Sequence, residues 1–225
     1  MKTTLLAIAA LTAVAMCLFV AACGGGGDSS SAGPKADAGK NSRLGEARFD
    51  MIDDLFAAAV PIDELESNEA NAAKLRAAAK PFLDACAALD QDDALLGKLR
   101  RGCPRVARLT AQSAGLKDAC QDAASCSAAV SDVRTTAASV ERFSRSADRV
   151  VDATNITSAC KDALRTPKKG YAAYDEIDSA FAALQRALKS GSEADLEEAQ
   201  RRLDAVDRDS PSAKESLEKF RSGCT

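Results

Sequence analysis

Cysteine carries most of the chemistry open to this chain, and histidine carries none, because the chain has none. Of the eight cysteines, Cys86, Cys103, Cys120, Cys126, Cys160 and Cys224 fall within the region of amphipathic, domain-like patterning. Thiolates in such a set can hold zinc, but there is no Cys-x-x-Cys pair and no imidazole to complete a mixed site. An even number of thiols would read instead as disulfides if the chain is exported. Short local loops favour Cys86–Cys103 and Cys120–Cys126, which leaves Cys160–Cys224. Six thiols permit many other connectivities. A simple up-and-down run of C-terminal helices would also set Cys224 apart from Cys160, so the third pair stays open.

Charged and aromatic clusters come next. Lys98, Arg100, Arg101, Arg105 and Arg108 crowd around Gly102-Cys103-Pro104. Such a cluster suits anionic lipid headgroups, a wall polymer or an acidic partner; equally, its first members complement the negative end of a helix dipole. Tyr171 and Tyr174, the two tyrosines of the chain, stand with Asp175, Glu176 and Asp178. Aromatic and carboxylate groups together suit a cationic partner, against the plainer reading of a helix start. Asp90, Asp92 and Asp93 lack the glycine and distal glutamate of a calcium loop, so they read as the opening of a helix. Asp50, Asp53 and Asp54, and Asp204, Asp207 and Asp209, read as solvated helix faces.

Catalysis has little to work with. Ser-His, Cys-His and His-metal mechanisms need a residue type the chain lacks. No nucleotide-binding glycine loop and no Gly-x-Ser-x-Gly occurs, and nothing singles out a carboxylate pair. No enzyme and no cofactor is expected. A net charge of −3 argues against a general nucleic-acid binder.

The elements that must position these groups are helical throughout. Apolar residues recur at three- and four-residue steps from Arg43 onward, and no stretch alternates with the two-residue period of a strand. The pattern predicts a helix over 43–59 closed by Val60-Pro61. A second, capped by Asp63 or Ser67, runs towards Leu89 and is kinked at Pro81. A short helix stopped by Gly102 follows, then another opened by Pro104 and interrupted near Gly115. Residues 127 to about 165 read as one helix about 58 Å long, fraying or bending at Asn155-Ile156-Thr157. Three further helices cover 172–189, 192–206 and the region after Pro211. The expected fold is all-α: a disulfide-stapled bundle of about five to seven helices around one long central helix. Its alanine-rich core buries few methylenes at about 0.8 kcal/mol each, so covalent constraint is valuable.

Ahead of this domain (43–225), Lys2 precedes an uncharged apolar run from Leu5 to Ala22. Val20-Ala21-Ala22-Cys23 closes it, and Gly24 to Gly27 follow. This stretch resembles the signal peptide and lipobox of bacterial lipoproteins, with Val20 where such signals most often carry Leu. The resemblance covers residues 1 to about 27. It implies a signal peptide over 1–22 and lipidation of Cys23 by palmitate-type acyl chains. It places the protein in the bacterial cell envelope, on the outer side of the cytoplasmic membrane or on the outer membrane. Two or more acyl chains anchor stably where one is marginal. Residues 24–40, rich in Gly, Ser and Ala, then form a tether with a root-mean-square reach of roughly 20–25 Å. The expected function is a non-catalytic envelope lipoprotein that presents a helical bundle to an envelope protein or wall polymer. The alternative is a lipoprotein that sequesters a small apolar ligand between helices.

Overall fold

A computed structural model describes residues 43–65, 72–120, 122–166, 168–209 and 212–225. The expected signal peptide, Cys23, the tether and the candidate cap Ser67 lie outside the described residues. The described chain is all-helical. In order, α1 spans Glu46–Asp63, α2 Ala72–Ala88, α3 Ala94–Ala119 and α4 Ala123–Ala153. They are followed by α5 over Ser158–Leu164, α6 over Lys168–Ser190, α7 over Glu193–Asp209 and α8 over Ala213–Cys224.

Eight helices among the described residues exceed the expected five to seven. The predicted 127–165 helix is two, while the segments expected on either side of Gly102–Pro104 form one. Thr154 leaves the helix in extended geometry, Ile156 is buried, and the Thr157 hydroxyl accepts from the Cys160 amide at 3.2 Å, capping α5. Asn155-Ile156-Thr157 therefore ends one helix and starts another, and α4 has 31 residues.

Elsewhere helices run through predicted breaks. Gly102 and Pro104 sit inside α3, as does Gly115, and α1 continues past Pro61 to Asp63. Tertiary packing overrides local propensity here. A Cβ on Gly102 would stand 2.3 Å from Cε1 of Phe143, so the absent side chain is what lets the ring lie against α3. Gly97 is likewise spent on close approach: a Cβ there would meet the Gln91 carbonyl oxygen at 2.3 Å.

Packing runs neighbour to neighbour. The principal contacts pair α2 with α3, α3 with α4, α4 with α6, and α6 with α7. The chain then closes on itself, because α8 packs against both α1 and α5. Asp53 accepts from Arg221 Nε and Nη2 (2.6 and 2.8 Å), and Asp63 accepts the Ala213 amide, so α1 and α8 lie antiparallel. Phe220 stacks between Phe49 and Phe56 at 5.0 and 5.4 Å.

Three disulfides staple this arrangement: Cys86–Cys103 joins α2 to α3, Cys120–Cys126 closes the α3–α4 turn, and Cys160–Cys224 joins α5 to the end of α8. The return of α8 to α5 brings the third pair together, which a simple up-and-down order would not do. Gly223 lets the backbones meet there, since a Cβ on it would lie 2.9 Å from the Ala159 carbonyl.

Candidate functional site

Of the five clustered cations, the structure keeps four on one face and turns one inward. Arg100 donates through Nη1 to the Leu89 carbonyl at 2.9 Å, satisfying an acceptor just past the end of α2. Lys98, Arg101, Arg105 and Arg108 follow each other at three- and four-residue steps along α3, which places them in one row. Arg101, Arg105 and Arg108 are exposed and Lys98 is half-buried.

The antiparallel α4 completes the surface. Lys98 Nζ donates to Ser146 Oγ at 2.6 Å and lies 5.0 Å from the centre of the Phe143 ring. The Arg105 guanidinium lies 5.5 Å from the same ring. Phe143 is thus a half-buried ring with two cations near its centre, an arrangement worth about 0.5–1 kcal/mol per contact at an exposed site. Burial holds the Lys98 ammonium below its ordinary pKa, helped by repulsion from Arg101, Arg105 and Arg149.

Among the described residues, none of Lys98, Arg101, Arg105, Arg108 and Arg149 pairs with a carboxylate. Six arginines outside this group are paired within the chain. Arg48 is paired to Asp93, Arg134 to Asp178, Arg145 to Glu141, Arg165 to Asp152, Arg202 to Glu176 and Arg221 to Asp53. On a chain of net charge −3, the α3–α4 face gathers five cations that no carboxylate pairs among the described residues.

The tyrosine–carboxylate cluster is dispersed. Tyr174 is buried, its hydroxyl 3.3 Å from Ser144 Oγ. Tyr171 is half-buried and donates to Asp148 Oδ2 at 2.6 Å, while the Arg145 guanidinium lies 4.3 Å from its ring centre. Burial raises the Tyr171 pKa, and the bond to Asp148 adds to the shift. Asp148 also accepts the Thr166 amide at 3.0 Å, so this network ties α4 to the turn before α6. Burial raises the Asp148 carboxyl above its ordinary value, against the hydrogen bonds from Tyr171 and Thr166.

Asp175 and Asp178 reach a cleft of about 340 Å³ between α4 and α6, floored by Ala137, Ile177 and Phe181. Asp178 accepts there from Arg134 Nε and Nη2, at 2.5 and 2.9 Å, and the Arg134 side-chain bond holds its pKa below the ordinary value. Glu176 faces α7 through Arg202.

The remaining acidic clusters are structural. Asp93 caps α3, accepting the Leu95 and Leu96 amides at 2.8 and 2.9 Å, and Asp90 accepts the Asp92 amide. Asp53 serves Arg221, and Asp204 accepts from Gln200. The side chains of Asp207 and Asp209 lie outside the described set. Among the described residues no three His, Cys, Asp or Glu side chains are grouped to hold a metal ion, and no helix is long and apolar enough to cross a membrane.

Arg149 and Phe143 were missed in the sequence because both lie on a helix about 45 residues downstream of the basic cluster. Their positions on α4, each three residues from Ser146, were the only signal. No known family, curated protein or solved structure matches the chain.

Proposed function

We propose that this protein is a membrane-tethered, non-catalytic lipoprotein of the bacterial envelope, anchored by acyl chains on Cys23. Its helical domain presents the α3–α4 basic face to an anionic envelope component. One observation carries the choice of face: two cations over the Phe143 ring, with Arg101, Arg108 and Arg149 on the same two helices, and none of the five with a carboxylate partner among the described residues. Keeping like charges together costs stability, and a counter-charge from outside the chain relieves it. With α3 on one side and α6 on another, α4 acts as the central helix that holds this face flat.

A photoreactive side chain at position 101 or 105, in intact cells, should give adducts that are absent from position 201 on α7. Equal yields from all three positions would count against the face.

The second reading, a small apolar ligand between helices, is favoured by the α4–α6 cleft with its apolar floor. Native mass spectrometry of freshly isolated protein would reveal such a ligand. The charged rim of Arg134, Glu141, Asp175 and Asp178 makes this the weaker reading for an apolar molecule.

A further inference from the structure

We infer that the α3–α4 basic face docks onto anionic phospholipid headgroups, so that the folded domain lies against the same leaflet that holds its anchor. This rests on the lipoprotein reading and adds to it the partner and the orientation.

The geometry at the entry to the fold is the first support. Arg48, in the first turn of α1, donates through Nε to Asp93 at 2.8 Å, and Asp93 is the N-cap of α3. The chain from Cys23 therefore joins the folded domain at the end of the bundle where α3 begins. Lys98 lies about 7–8 Å further along α3, and the row from Lys98 to Arg108 covers about 15 Å. The reach predicted for residues 24–40, roughly 20–25 Å, matches that span. An anchored domain thus has its basic row beside the attachment point and within tether distance of the headgroups, at high effective concentration.

The composition of the face is the second support. Its cations are spread along two helices instead of converging on a pocket, which suits a surface of many phosphates. At its centre is Phe143, half-buried and in contact with Lys98 and Arg105. The ring lies against Gly102 of the neighbouring helix and sets an apolar group beside the cations, the combination by which Phe with Lys and Arg binds a membrane surface. An acidic protein partner would call for neutral and hydrogen-bonding groups among the cations to fix register, and the α3 row has none between Arg101 and Arg108.

The test is co-sedimentation of the processed chain, residues 23–225 with its disulfides formed, carrying Cys23→Ser so that no acyl chain contributes. Vesicles of phosphatidylglycerol and phosphatidylcholine should bind it, vesicles of phosphatidylcholine alone should not, and added salt should release it. At about five-fold per cation near the surface, Arg101→Ala with Arg105→Ala should weaken binding about 30-fold. Arg201→Ala with Lys189→Ala, which removes the same charge elsewhere, should weaken it by about two-fold or less. If the first pair loses its helical signal, Arg108→Ala with Arg149→Ala takes its place. Equal losses from the two faces, or no binding to anionic vesicles at low salt, would overturn the inference. Binding to soluble polyglutamate or poly(glycerol phosphate) without vesicle binding would also overturn it, and would reassign the face to an acidic protein or wall polymer. Because the acyl chains are absent, failure here leaves the anchoring of Cys23 to be judged separately by mass.

Discussion

Removing the Cys160–Cys224 disulfide should destabilise the domain more than removing either of the others. In the chain-entropy model the gain grows with the loop closed, and the three loops span 64, 17 and 6 residues. The corresponding contributions are about 4.3, 3.1 and 2.2 kcal/mol. The constant term cancels between loops, so Cys160→Ala/Cys224→Ala should cost about 2 kcal/mol more than Cys120→Ala/Cys126→Ala. Burial acts in the same direction: Cys160 and Cys224 are both buried, whereas Cys120 is only partly so. The loss should also have a place. α5 has only seven residues and packs chiefly on α8, so its amides should lose hydrogen-exchange protection before those of α4. Urea denaturation of the three double variants gives the order, and exchange of residues 158–164 gives the place. A Cys160→Ala/Cys224→Ala domain within about 1 kcal/mol of the parent, or one less affected than the Cys120→Ala/Cys126→Ala domain, would refute the reasoning.

Gly97→Ala should destabilise by about 1–3 kcal/mol, because the new Cβ meets a backbone oxygen that cannot swing aside, outweighing the helix-propensity gain; thermal unfolding checks it. Asp148→Asn should flatten the pH dependence of stability. The parent's raised carboxyl contributes stability that is fully present below 3.8 and lost as pH rises through the folded value. Denaturation of both proteins across that range should show the parent falling relative to the variant, and the opposite slope would be contrary. Arg100→Ala should lower stability by about 1–2 kcal/mol by orphaning the Leu89 carbonyl, whereas Arg101→Ala should change it by less than about 0.5 kcal/mol. The same denaturation curves separate the two.

Helical periodicity was readable because each stripe of apolar residues is its own signal, and Ile177, Ala180, Phe181 and Leu184 all lie in the core. Cysteine spacing was readable for the two local loops. The third pair needed the path of α8, which Phe220 and Arg221 set through long-range contacts with α1. Gly102-Cys103-Pro104 looks locally like a helix end, yet Phe143 fills the space of the absent side chain and the Cys86 bridge holds the turn. Only tertiary structure carries that information. Likewise, five neighbouring cations read as one cluster, but a helix turns about 100° per residue, so Arg100 and Arg101 face different neighbours. Tyr171 and Tyr174 read as a helix start with wet hydroxyls, and their partners on α4, half-buried Asp148 and buried Ser144, were invisible from their own segment.

The most direct measurement is the intact mass of the protein isolated from the membranes of the cells that make it, before and after reduction and thiol alkylation. The account predicts a chain beginning at Cys23 with acyl chains attached, whose other six cysteines react only after reduction. A chain that retains Met1, with those six thiols free from the outset, would contradict both the anchor and the stapled fold.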